Sequence, residues 1–348
     1  MQINNREISS NEPPYIIAEM SNNHLKDLNK AKKIIDAAKE CGVDAIKIQT
    51  YTPDSLTIDC NKEDFVITDK LWAGRTYYDL YKEIAMPIEW TAELFEHARQ
   101  QELTIFSSPF DEASVDLLEQ LGAPAYKIAS FEANDFHLRR RIIATGKPVI
   151  MSTGVSTYSQ LSAFIAEFPD HASLTLLHCL SAYPSSAKDM NLRCIHQLQK
   201  LGCAVGLSDH SRSPLAAIAS VAMGAVMIEK HFTISRADGG PDAAFSLEPN
   251  EMKQLVQYSK EAWQALGSSE VLNNPNRSGS NHRRSIYAVK DIKKGQSLSE
   301  ENIRIIRPGF GMPPELFNQV IGKNARVDIT RGSRLSWDLL ENGESHDE

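Results

Sequence analysis

Apolar residues follow two alternating patterns over the first three quarters of the chain. Short, nearly continuous apolar runs at 15–19, 44–50, 104–110, 125–130, 148–154, 174–179, 204–210 and 227–233 read as strands buried on both faces. Between and after them, 28–41, 88–101, 111–121, 137–145, 158–168, 192–201, 214–223 and 248–266 repeat their apolar positions at helical spacing. Gly42, Gly122, Gly146, Gly202, Gly224 and Gly267 stand where helices should stop and predict left-handed caps. Eight strand–helix units over about 250 residues specify an α/β fold, a (β/α)8 TIM barrel. A doubly wound open sheet would need a Gly-rich phosphate turn after its first strand, and the stretch from Glu19 to His24 contains no glycine.

After Gly267 the texture changes. Residues 268–281 are rich in Ser, Asn and Gly and read as a linker. Beyond it, β-prone pieces at 285–289, 291–298, 303–309, 325–329 and 331–333, with one helix-like stretch at 314–320, predict a small β-rich domain over 282–348. A domain of that size has little core and is expected to dock on something else. The barrel is assigned to 1–267, and the polar stretch 343–348 is expected to fray.

Composition narrows the function. Lys+Arg 37 against Asp+Glu 45 gives a net charge of −8 with no basic run, which disfavours nucleic acid and points to a small-molecule partner. No apolar stretch has membrane-spanning length and the amino terminus lacks a hydrophobic signal core, so no membrane association and a cytoplasmic location are expected. Five scattered cysteines, an odd number without metal-ligand spacing, fit reduced thiols. Cys179 is read as a core residue.

The predicted strand ends are unusually polar. They present Glu19; Lys47 and Gln49; Ser107 and Ser108; Lys127 and Ser130; Ser152 and Thr153; Ser181 and Tyr183; Ser208 and His210; and Glu229 and His231. At the carboxyl face of a barrel, where chemistry collects, two histidines closing successive strands suit a divalent ion with open coordination positions. Each histidine alone could equally be a satisfied core residue. Lys47 and Lys127 interrupt apolar strands and are costly to bury without a counter-charge. Structural ion pairs would explain them singly. With the surrounding hydroxyls they form an anion cradle suited to phosphate or carboxylate. These residues alone imply a phosphorylated, carboxylated substrate meeting a carbonyl compound, without identifying either.

Several motifs carry a resemblance: Ile-Ile-Ala-Glu19, Lys47-Ile-Gln49-Thr, Ser108-Pro-Phe-Asp, Tyr126-Lys-Ile-Ala-Ser130-Phe-Glu132, Ser152-Thr-Gly, Gly206-Leu-Ser-Asp-His210, Glu229-Lys-His231-Phe-Thr and Gly240-Pro-Asp242. In order and over nearly the whole chain they resemble the sialic acid synthase family, and Arg307-Pro-Gly-Phe-Gly311 resembles its antifreeze-like, or SAF, module. The family condenses phosphoenolpyruvate with an N-acetylated amino sugar to a nine-carbon keto acid, using a divalent metal such as manganese or magnesium. Phe131 in place of a glycine, Ser181-Ala-Tyr183-Pro, the stretch around Phe245 and Arg307-Pro-Gly-Phe310 are most similar to the pseudaminic acid synthases, which implies 2,4-diacetamido-2,4,6-trideoxy-altrose as acceptor. N-acetylneuraminic or legionaminic acid synthase is the alternative enzyme; a carbohydrate- or ice-binding protein with a degenerate barrel is the alternative of another class.

The resemblance implies that His210 and His231 bind the metal and that Lys47, Ser108, Lys127, Ser130 and Ser152 clamp phosphoenolpyruvate, with Ser208 nearby. Glu132 is the expected activator of water, unless it forms a salt bridge to Lys127. Glu19 would orient water at the metal, and Glu132, Glu19 and Lys127 form the expected catalytic set. Gln49, Tyr183, Asp242 and Ser181 would face the sugar, with Ser181 standing where an Asn is common and Arg283 and Arg284 where an apolar contact can occur. In the family the small domain covers a partner's barrel in a domain-swapped homodimer, which implies that Arg307 reaches the partner's sugar.

Overall fold

Eight parallel strands, each paired with the next and the eighth paired with the first, form a closed barrel in the computed structural model: Tyr15–Glu19, Ala45–Thr50, Thr104–Pro109, Tyr126–Ile128, Val149–Ser152, Leu174–Cys179, Ala204–Asp209 and Met227–His231. The structure describes residues 1–68, 73–274 and 278–341. The chain divides into two units, Met1–Gly267 and Ser268–Glu348. Every expected strand is present, several of them shorter by a residue or more at one or both ends.

Pleating sorts the strand residues into two sets. Ile16, Ala18, Ile46, Ile48, Ile128 and Leu207 face outward into one buried cluster with Ile34, Ile35 and Ala38 of the first helix. Tyr15, Ile17, Ala45, Phe106, Ala125, Ile150, Leu177 and Met227 face inward and fill the lower half of the barrel, with Ile3 and Ile8 in the same cluster. Gly206 allows this inner layer to close, since a Cβ there would meet the Met227 carbonyl oxygen at 2.3 Å and Leu177 Cδ2 at 2.7 Å. One pleat above, the inward positions become polar. Register aligns Glu19 with Lys47, His231 with Glu19, Gln49 with Ser108, and Glu229 with Ser208, placing the polar residues in neighbouring rows.

The first helix, Leu28–Cys41, shows how the outer ring is delimited. Asp27 caps it by accepting from the Asn29 and Lys30 amides, and Gly42 ends it at φ 78°, ψ 25°. Gly267, expected to act likewise after Pro249–Leu266, instead has φ 52°, ψ −142°, outside the left-handed helical region. Elements that were not anticipated include the hairpin of Gln2–Ile3 with Arg6–Glu7 and the helices Pro53–Leu56 and Tyr77–Ile84, which follow the second barrel strand.

In the second unit, Ser285–Ala288 and Ile303–Ile306 pair antiparallel. The expected pieces at 291–298 and 325–329 join through isolated bridges, including Ile292 with Ile329 and Ser297 with Asn324, rather than as regular strands. Ile286, Ala288, Leu298, Ile303, Val320 and Ala325 form this unit's own core. The proposed linker 268–281 contains 3-10 turns at Ser269–Asn273 and Ser280–His282. The stretch 343–348 lies outside the described residues. Among those described, no helix is long and apolar enough to cross a membrane.

Candidate active site

The polar upper layer of the barrel lines a cavity. Eleven of the expected residues line it: Glu19, Lys47, Gln49, Ser108, Lys127, Ser130, Ser152, Tyr183, Ser208, His210 and His231. Phe110, Ala129, Cys179 and Glu229 complete the wall. Cys179 is therefore corrected from core to cavity wall: it is buried, but it ends a strand on the same face as Leu177. Burial raises its thiol pKa, so it contributes a neutral surface.

Both lysines are buried, and both have counter-charges. Lys47 Nζ lies 2.6 Å from Glu19 Oε2 and 3.8 Å from Glu229 Oε2, and donates to Ser108 Oγ at 3.2 Å. Lys127 Nζ donates to Ser152 Oγ at 2.6 Å and lies 3.8 Å from Glu229 Oε1. Glu229, whose importance was not anticipated, thus sits between the two cations and accepts from Ser208 Oγ at 2.9 Å. Burial opposes its charge, but Lys127 and Lys47 outweigh burial and lower its pKa. Burial also disfavours charge on Lys47, yet Glu19 and Glu229 raise its pKa overall; for Lys127 burial prevails and lowers it. One cation is therefore firmly held, while the other is under-compensated. An added anion would compensate Lys127, the cation whose charge burial disfavours.

The opposite wall carries the histidines, with ring centroids 5.4 Å apart. His210 Nδ1 lies 3.0 Å from the Leu180 carbonyl oxygen; donation to that acceptor assigns the tautomer and leaves Nε2 as a free lone pair. His231 Nδ1 is buried with no hydrogen-bond partner, 3.6 Å from Asp242 Oδ2. Burial lowers both pKa values, keeping the rings neutral as a metal requires. Among the described residues no three His, Cys, Asp or Glu side chains form a complete ligand set. The two neutral imidazoles are chemically suited to a divalent ion, but supply only two ligands for it. Tyr183 and Phe245 pack on the rings at 4.4 Å from His210 and 4.9 Å from His231, respectively.

Three expected residues stand off the cavity wall. Ser181 is 2.9 Å from Ser130, hydroxyl to hydroxyl. Asp242 accepts from Ser21 and from Asn22, the latter at 3.2 Å. Glu132 makes no ion pair with Lys127, which faces Glu229 instead; its Oε2 is enclosed without a hydrogen-bond partner, and burial raises its pKa to about 7. Arg307 belongs to the second unit, directly after the strand Ile303–Ile306. The strand-end rule located the inward residues but not those on loops beyond. Glu229 stood among the polar strand ends, two residues before His231 on the same face, but without an assigned role.

Known proteins repeat this organisation. The NeuB family model matches residues 34–271 and the SAF domain model matches 283–341. The chain is 44% identical to a pseudaminic acid synthase of Campylobacter jejuni over 96% of this chain and 98% of that protein. It is 41% identical to a pseudaminic acid synthase of Helicobacter pylori, covering 95% and 98%. A crystal structure of N-acetylneuraminic acid synthetase from Leptospira borgpetersenii superposes with a TM-score of 0.72 at 31% identity, covering 80% of this chain and 93% of that one. A barrel whose mouth joins two buried lysines to two neutral imidazoles, followed by a SAF domain, thus coincides with sequence likeness along almost the entire chain, and the protein belongs to the NeuB family.

Proposed function

We propose that the protein is a transferase condensing phosphoenolpyruvate with 2,4-diacetamido-2,4,6-trideoxy-altrose to give a nine-carbon acid and phosphate, the reaction of a pseudaminic acid synthase. The observation that carries this reading is the meeting of an anion cradle and two neutral imidazoles in one cavity. Likeness to two pseudaminic acid synthases at 41% and 44% supports the choice of sugar.

Lys47, Lys127, Ser108, Ser130 and Ser152 bind phosphoenolpyruvate, with Ser208 holding Glu229 in place between the lysines. His210 and His231 hold a divalent ion, manganese or magnesium, which when bound polarises the sugar carbonyl. Gln49 and Tyr183 face the sugar from the cavity wall, Asp242 and Ser181 from behind it, and Glu19 orients water beside the histidines. The methylene carbon of phosphoenolpyruvate forms the new bond to the aldehyde carbon, and positive charge develops at the carbon bearing phosphate. Glu229 stabilises that charge from between the lysines. Glu132, with a pKa of about 7, accepts a proton from the water that adds there, and an equivalent proton is taken up by the former aldehyde oxygen as its carbonyl bond becomes a hydroxyl. Phosphate then leaves with its bridging oxygen.

Arg307 supplies a further sugar contact from the small domain of a partner chain in a domain-swapped homodimer. A flexible segment as long as 268–281 spans on the order of 20 Å. The five free cysteines fit a cytoplasmic location. Incubating the protein with phosphoenolpyruvate, a divalent ion and a panel of N-acetylated sugars tests the assignment: the trideoxy sugar should yield the nine-carbon acid by mass spectrometry. Turnover confined to hydroxylated sugars would overturn the choice of acceptor.

A further inference from the structure

Phe131 stands between two residues of the site. Ser130 before it lines the cavity, and Glu132 after it carries the enclosed, unpartnered carboxylate oxygen. The Phe131 side chain is nevertheless 59% exposed and belongs to neither buried cluster of the barrel. Its loop is firmly built. The Glu132 amide donates to the Ala129 carbonyl at 3.2 Å and the Asp135 amide to the Glu132 carbonyl at 2.9 Å. The buried Arg139 donates to the Ala133 carbonyl at 2.7 Å while bonding both oxygens of Glu167, at 3.1 and 2.6 Å. Ser130 and Ser181, hydroxyl to hydroxyl, tie the start of the loop to the end of the next strand but one, Leu174–Cys179.

A single exposed aromatic is common on any surface. This one sits in the loop at the carboxyl face of the barrel, one residue from Ser130 of the cavity wall and one from Glu132, so an exposed ring lies next in sequence to the mouth. The floor of the cavity is polar and its cations suit the anionic substrate. An aromatic at the rim offers no hydrogen bond and therefore favours the part of the other substrate that needs none. In a trideoxy sugar that part is the C6 methyl group, whereas an acetamido group brings an amide that requires partners.

We propose that Phe131 is a specificity-determining residue that contacts the C6 methyl end of the acceptor and favours it over a 6-hydroxylated sugar. This rests on the proposed acceptor and is tested in two stages. Wild-type kcat/KM is first measured for 2,4-diacetamido-2,4,6-trideoxy-altrose and for its 6-hydroxy counterpart. No turnover of the trideoxy sugar contradicts the acceptor assignment and removes the basis for the proposal before any variant is made. Phe131→Gly and Phe131→Leu are then compared with wild type; the exposed site makes both compatible with folding. The preference for the trideoxy sugar should fall about tenfold in Phe131→Gly, through acceptor KM, and recover partly in Phe131→Leu, the low end of what an apolar contact supplies. The KM for phosphoenolpyruvate should stay within about twofold, because the cradle is untouched. An unchanged preference, or equal losses on both sugars, would overturn the proposal.

Discussion

Lys47 Nζ lies 2.6 Å from Glu19 Oε2, with side-chain exposures of only 4% and 1%. A pair this buried is compensated as long as both partners are present, and removing one strands the other. In the proposed function Lys47 would therefore have two duties, holding Glu19 and binding phosphoenolpyruvate. Lys47→Ala should destabilise the fold by about 3–5 kcal/mol as well as impair phosphoenolpyruvate use. Lys127→Ala, which removes a cation 3.8 Å from Glu229, should act mainly on phosphoenolpyruvate kinetics, by about 30- to 150-fold for the loss of one charge-assisted contact. Thermal unfolding alongside kcat/KM separates the two. Equal melting temperatures and kinetics for both variants and wild type would place the cradle elsewhere.

The pKa of Glu132, raised to about 7 by burial, gives a pH profile. A base must be unprotonated to act, so kcat/KM should rise tenfold per pH unit below about 7 and level off above it. Glu132→Gln should lose that limb and most activity. An unchanged acid limb in this variant would assign the titration to another group.

The histidine pair predicts dependence on a metal. His210→Ala or His231→Ala should abolish condensation and divalent-ion binding measured by calorimetry, while circular dichroism stays native. Chelator should silence the wild type, and a divalent ion should restore it. Full turnover after chelation, with no metal detected by elemental analysis, would contradict this role.

Most of the barrel was legible because its strands are buried on both faces and its helices carry one apolar stripe, so each element declares its own periodicity. His231 and Glu229 share a face by alternation, and Lys230, between them, points the other way and lies 3.0 Å from Asp209. Less legible features depend on contacts between distant segments. The hairpin of Gln2–Ile3 and Arg6–Glu7 is too short to show a period. Glu229 gains its importance only from Lys47 and Lys127, on strands far away in the chain, and Glu132 gains its raised pKa from enclosure that no local pattern records.

Arg307 supplies a test of assembly. If it completes a partner's sugar site, mixing Arg307→Ala chains with His210→Ala chains should restore activity, because one site of the heterodimer then joins an intact barrel to an intact arginine. Verified heterodimers with no more activity than either parent would mean that Arg307 acts within its own chain or not on the sugar.

Condensation with carbon–oxygen cleavage can be followed in one experiment. Phosphoenolpyruvate labelled with 18O at its bridging oxygen is incubated with the protein, a divalent ion and 2,4-diacetamido-2,4,6-trideoxy-altrose, and both products are weighed by mass spectrometry. The proposed chemistry requires a nine-carbon acid without the label and phosphate that carries it. Label retained in the acid, or phosphate released without any nine-carbon product, would contradict it.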